Sequence, residues 1–109
     1  MLKLHEMSIG YREYLKSLRK ELNNIGALTI EGIYDYCMAV SKVTGSWRPL
    51  EGADPFKGAM GEMCESEEVK VEFTCRRENG RAAVDTIKRV NSYEKPVINI
   101  IPLIDISEL

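Results

Sequence analysis

Two stretches of helical periodicity, each set between strand-like runs, constrain this chain more than any other feature. Tyr11, Tyr14, Leu15, Leu18, Leu22 and Ile25 recur at the spacing of one helix face, and Arg12, Glu13, Lys16, Arg19, Lys20 and Glu21 fill the opposite one. Asn23, Asn24 and Gly26 tolerate left-handed backbone and should end this helix. Farther along, Ala83, Val84, Ile87 and Val90 line one face of a second helix, with Asn79 as the expected N-cap. The segment Tyr93 to Pro96 breaks it, because a residue before proline disfavours helical backbone.

Around these helices the period changes to two. Met1 to His5 sets Leu2 and Leu4 against Lys3 and His5, the alternation of a short strand. Ile33 to Val43 is rich in aromatic and β-branched residues and predicts a strand with Tyr34, Tyr36, Met38 and Val40 on one face. The segment Thr44 to Cys64, rich in glycine and holding Pro49 and Pro55, predicts a long loop with or without a short hairpin ladder inside it, and its Trp47, Arg48, Leu50 and Phe56 predict that it is packed rather than disordered. Val69, Val71, Phe73 and Cys75 alternate with Lys70, Glu72 and Thr74, a half-buried strand. Val97 to Ile101, apolar on both faces apart from Asn99 and followed by Pro102, reads as a last strand covered on both sides.

The order is β-α-β-loop-β-α-β. That is an α+β chain, a ferredoxin-like β-α-β-β-α-β sandwich with a four-stranded antiparallel sheet and two helices on one face. The 109 residues suffice for a single domain, 1–109. A sheet with helices on one side leaves the other face bare, and Tyr34, Tyr36, Met38 and the last strand on that face predict an association surface.

Charge narrows the function classes. The 15 basic and 17 acidic residues, a net charge of −2, are spread along the chain and supply no basic field for nucleic acid. The longest uncharged apolar stretch, Pro96 to Ile104, is far below the ~20 residues that span a membrane. With Lys3, His5 and Glu6 near its start the chain has no signal-peptide pattern, so a cytoplasmic location is expected. Cys37, Cys64 and Cys75 match neither a disulfide framework nor a CxxC knuckle and read as free thiols, Cys37 and Cys75 within apolar strands.

Three motifs between Gly32 and Leu103 carry a family resemblance: GIYDYC, then TGSWRPLEGADPFKG, then SYEKPVINIIPL, in that order. Together they resemble the insert domain of the YqfO-type (Nif-three-like, GTP-cyclohydrolase-like) proteins, a domain similar in fold to PII signalling proteins and CutA cation-tolerance proteins. The resemblance implies a PII/CutA-like, ferredoxin-like domain that assembles as a homotrimer, with the long loop near clefts between subunits. It does not imply the chemistry of the full-length relatives, whose di-metal centre is built from His, Asp and Glu of flanking domains. One departure stands out: the family's closing motif begins with histidine and proline, whereas this chain has Asn91-Ser92 ahead of Tyr93-Glu94, and asparagine and serine are poor soft-metal ligands. No metal site and no cofactor is expected.

Arg48 and Glu51 are the first candidates for a site. A guanidinium can clamp a carboxylate or phosphate through two parallel hydrogen bonds; the structural reading pairs Arg48 with Glu51 or with a backbone carbonyl to hold the loop shape or a subunit contact, with Trp47, Pro49 and Leu50 burying the guanidinium. Tyr93 and Glu94 could reach the same loop or only stabilise a turn at Pro96. Glu62, Glu65, Glu67 and Glu68 could attract a hard cation but read first as a solvated loop. Gly52, Gly58 and Gly61 lack the spacing of a phosphate-binding loop. His5 and Glu6 have no nucleophile in a recognisable pattern beside them, so no catalytic residue is expected. The reading is a non-catalytic module, self-associating as a trimer, that binds a small molecule, an ion or a protein partner; the alternatives are an enzyme acting on a phosphorylated or nucleotide-like compound and a purely structural subunit.

Overall fold

The computed structural model describes residues 2–9, 12–53, 58–91 and 97–109, with residues 2–9, 12 and 13 described through their backbone alone. Strand β1 (Leu2–Ile9) leads to helix α1 (Arg12–Asn24), strands β2 (Ala39–Trp47) and β3 (Cys64–Cys75), helix α2 (Gly80–Val90) and strand β4 (Val97–Pro102). The strands lie side by side in the order β2-β3-β1-β4, and every neighbouring pair is antiparallel. The chain is therefore α+β, with two helices and an antiparallel sheet.

Helix α1 forms and stops where its sequence says it should. Leu18 and Leu22 are fully buried, and Tyr14, Leu15 and Ile25 pack against the same cluster. Gly26 takes φ +79°, and the amides of Gly26 and Ala27 return to the carbonyls of Asn23 (3.0 Å) and Leu22 (3.1 Å). These two bonds are a Schellman cap, which a glycine at this position adopts without the strain a Cβ would bring. Helix α2 presents Ala83, Val84 and Ile87 to the core and satisfies the buried Thr86 hydroxyl by donation to the Ala82 carbonyl at 2.7 Å. Asn79 is its N-cap, but through its backbone; its side chain makes no capping bond, and a 3-10 turn over Arg77–Asn79 leads into the helix instead.

Both helices cover the same side of β3. Val71, Phe73 and Cys75 share one core with Leu18, Leu22, Ala27, Leu28, Ala83, Val84 and Ile87. Each fully buried leucine or isoleucine there contributes about 1.5–3 kcal/mol through apolar burial.

Four sequence expectations are corrected. Strand β1 does not end at His5 but runs on to Ile9, paired along its length with β3. The strand expected over Ile33 to Val43 begins only at Ala39. Residues 30–37 instead form a tight turn in which Tyr34 bridges back to Ile30, with Glu31 (φ 54°), Gly32 (φ 71°) and Tyr36 (φ 52°) in left-handed backbone. Tertiary bonds override the β-propensity here: the amide of Tyr36 donates to the Asn23 side chain at 2.9 Å and that of Cys37 to the Leu28 carbonyl at 2.9 Å. Third, Thr44 to Trp47 and Cys64 to Glu68 are strand, not loop, because the two segments pair with each other from Ala39↔Glu72 to Trp47↔Cys64. Glu65, Glu67 and Glu68 thus stand on β3 rather than in a solvated loop.

The fourth concerns the sheet face away from the helices. Tyr34 and Tyr36 are exposed on the turn, not on the sheet, and Met38 packs against the core. By strand register the outer face carries Ser41, Val43, Lys70, Glu72, Thr74, Val97, Asn99 and Ile101. Lys70 and Glu72 form an ion pair there at 3.1 Å. β4 is not covered on both sides within the chain, since Val97, Ile100 and Ile101 are exposed and only Ile98 packs against the core. Among the thiols, Cys75 is buried in the core, and Cys37 and Cys64 are half-buried, Cys37 in the turn rather than in a strand.

Candidate functional site

The long connection after β2 spans residues 48–63 and is a folded element where it is described. Pro49 is buried and accepts from the Gly61 amide at 2.7 Å, and the Ala53 amide closes a turn on the Leu50 carbonyl at 2.9 Å. At its base Gly58, with φ +98°, lies directly against the Cys64 thiol, close to the Trp47 indole, and the same thiol donates to the Glu62 carbonyl at 3.4 Å. One backbone hydrogen bond joins residues 49 and 61, but of the side chains expected to pack this loop only Trp47 is half-buried; Arg48 and Leu50 are exposed, and Phe56 lies outside the described residues.

Arg48 and Glu51 both stand in solvent on this element. Among the described residues no ion pair or hydrogen bond joins them, and of the three residues expected to bury the guanidinium only Pro49 is itself buried; Leu50 is 61% exposed. The structure therefore does not form the buried Arg48–Glu51 pair that the sequence suggested. An exposed guanidinium on an element that also exposes Leu50, Met60 and Met63 is suited to an anionic ligand or a neighbouring subunit. Tyr93 and Glu94 lie outside the described residues. His5 stands in register between Glu72 of β3 and Asn99 of β4. Among the described residues no group of three His, Cys, Asp or Glu is placed to hold a metal.

Sequence reasoning missed the turn over residues 30–37, which exposes Ile33, Tyr34 and Tyr36 while Asn23 holds it to the end of α1. Gly32 and Asp35, both turn formers, were the available signal.

No family model matches the chain. A GTP cyclohydrolase 1 type 2 homolog of Bacillus subtilis is 34% identical over 92 residues, which cover 84% of this chain and 24% of that protein. A Bacillus cereus protein related to NIF3 superposes over 95% of this chain and 26% of its own with a TM-score of 0.78 and 25% identity. CutA1 of Pyrococcus horikoshii superposes over 97% of this chain and 86% of its own, with a TM-score of 0.68 and 17% identity. GlnK of Bacillus subtilis, solved also as a complex with ATP, gives a TM-score of 0.63 at 19% identity over 92% of this chain and 82% of its own. The chain is a NIF3-like small domain with a PII/CutA-like fold. This NIF3-like domain spans about a quarter of the length of the curated relatives it matches. At such low identity the likeness to CutA1 and GlnK concerns the fold, in keeping with a ferredoxin-like arrangement of the elements above.

Proposed function

We propose that this NIF3-like domain, residues 1–109, is a non-catalytic cytoplasmic module that self-associates as a homotrimer and binds a small molecule, an ion or a protein partner in clefts between subunits. Arg48 and Glu51, with Tyr93 and Glu94, line those clefts and meet either the ligand or the next subunit. The observation that carries this reading is the apolar surface that a lone chain leaves in water: Val97 is 56% exposed and Ile101 40% on the outer sheet face, and Leu50, Met60 and Met63 are exposed on the 48–63 element. Exposed apolar side chains on the outer sheet face and on the 48–63 element are the kind of surface that association covers. The fold shared with CutA and GlnK proteins supports the same reading, and the GlnK complex with ATP supports an anionic ligand for Arg48.

Light scattering tests the assembly, with about three times the monomer mass expected. Thermal shift with ATP and with divalent cations tests the ligand. Arg48→Ala should melt as the parent does, because the side chain is exposed, while losing any shift that ATP produces. A second reading is favoured by the name the relatives carry, GTP cyclohydrolase 1 type 2 homolog: an enzyme acting on a phosphorylated or nucleotide-like compound with Arg48 as anion clamp. Turnover of GTP by the purified chain would replace the first reading with this one, and a trimer that no ligand shifts would leave a structural subunit.

A further inference from the structure

Burial changes sides where the sheet narrows to two strands. In the core part of β3 the residues turned to the helices, Val71, Phe73 and Cys75, are the buried ones. β1 ends at Ile9 opposite Glu68, and beyond that row β2 alone pairs with β3, from Thr44↔Glu67 to Trp47↔Cys64. Here Glu65 and Glu67, on the helix side by alternation, are exposed, as are Thr44 and Ser46 of β2. The residues of the other side are half-buried instead: Val43, Gly45 and Trp47 on β2, and Cys64, Ser66 and Glu68 on β3. The connection reaches this side at one end, where Gly58 meets the Cys64 thiol close to the Trp47 indole.

The middle of this half-buried face holds polar groups that the chain itself does not satisfy. Gly45, between Val43 and Trp47, leaves a gap in the row of side chains, and the Glu68 carboxylate is folded into that gap against the glycine. Ser66, directly opposite Gly45, has a hydroxyl shut off from solvent and without a hydrogen-bond partner. Among the described residues nothing bonds to the Glu68 carboxylate either, and Lys70, the next residue of this face on β3, is held by Glu72 at 3.1 Å. A half-buried carboxylate and a buried hydroxyl left unpaired each carry a desolvation cost that an incoming donor relieves.

We propose that this face of the hairpin is a binding site for a small organic cation, whose ammonium group takes the place of the Glu68 carboxylate over Gly45. The carboxylate, swung aside, pairs with the ammonium, and the uncovered Ser66 Oγ accepts a second N–H. Trp47, next to the gap on the same face, supplies an aromatic ring for the cation. A metal ion fits less well: one carboxylate and one hydroxyl fall short of the roughly six oxygens a hard cation gathers, and among the described residues no three His, Cys, Asp or Glu stand together. The site lies past the rows of Val97 and Ile101, which stand level with Lys70 and Thr74. It is contained in one chain and does not depend on association through that part of the sheet.

Trp47 is the only tryptophan of the chain, so its fluorescence reports on the site directly. Titration of the full chain with n-butylammonium chloride at constant ionic strength, with n-butanol as the neutral match, tests the proposal. Emission should change saturably with butylammonium and not with butanol. Glu68→Gln should weaken binding about tenfold or more, since the charge-assisted bond is lost. Gly45→Ala, whose methyl group fills the gap, should weaken it by a similar factor while melting as the parent does. A melting curve verifies folding of each variant, and the two act on the site by different routes. No saturable change in the parent, an equal change with butanol, or saturation that persists in both variants overturns the proposal. Saturation by magnesium chloride that excludes butylammonium overturns it as well, in favour of a metal site.

Discussion

Asn23 shows how one side chain decides a local conformation. Its carboxamide oxygen accepts from the Tyr36 amide at 2.9 Å, and its nitrogen donates to the Asp35 carboxylate at 3.4 Å. Left-handed backbone costs a tyrosine about 1–2 kcal/mol, so the turn persists because such bonds compensate. Asn23→Ala should lower stability by about 1 kcal/mol, seen as a drop in Tm of about 4–6 °C. Cys75 offers a second residue-scale outcome. Burial pushes its thiol above the ordinary value of 9.0, so above that pH the folded state holds a proton that the unfolded chain releases. Stability from this group is complete below the unfolded pKa and is lost as pH rises through the folded one. Urea unfolding between about pH 8 and about pH 10.5 should show a steeper loss for the parent than for Cys75→Ala. In the folded protein a thiol reagent should label Cys37 and Cys64 ahead of Cys75, in keeping with their exposure.

At the scale of elements, two glycines of the arm formed by β2, β3 and their connection differ in what a side chain would meet. Gly58 combines φ +98° with direct contact to the Cys64 thiol, so a methyl group there meets both backbone strain and a wall. Gly58→Ala should cost about 1–3 kcal/mol and speed amide exchange across residues 44–47 and 64–67. Gly45 is extended strand, and what covers it is the carboxylate of Glu68, the far end of a flexible side chain. Gly45→Ala should stay within about 0.5 kcal/mol of the parent, the carboxylate swinging aside. Equal Tm losses for the two variants would contradict this account of the arm. The helices are brought onto β3 by the spacing of Leu18 and Leu22, and of Ala83, Val84 and Ile87, with a third glycine, Gly26, ending α1.

For the whole molecule the governing fact is apolar surface that the chain does not cover itself. Val97 and Ile101 share the outer sheet face with the Lys70–Glu72 ion pair. A lysine introduced there stands easily in water and poorly in a subunit contact. Ile101→Lys should therefore shift the scattering mass towards the monomer at unchanged far-UV dichroism, and a variant that keeps the parent's mass would remove this face from the interface.

Helix positions, the α+β class, the alternation of β3 and the family resemblance were all legible in the sequence, because each depends on residues within one or two turns, or one strand, of each other. The Schellman cap after α1 is the clearest case, since Asn23, Gly26 and Ala27 are local to it. Contacts distant in sequence were not legible. The GIYDYC segment has strand-like composition yet turns, because Asn23 and Leu28 from the preceding element take its amides. The glycine-containing TGSW segment becomes strand because CESE lies opposite to complete its backbone bonds. Arg48 was legible as a candidate, but its exposure was not: it depends on where Pro49 and Gly61 pin the 48–63 element. Composition gives only the sum of the charges, near zero here, whereas the pairing of β2 with β3 past the end of β1 is what sets Glu65 and Glu67 on one exposed face of a strand.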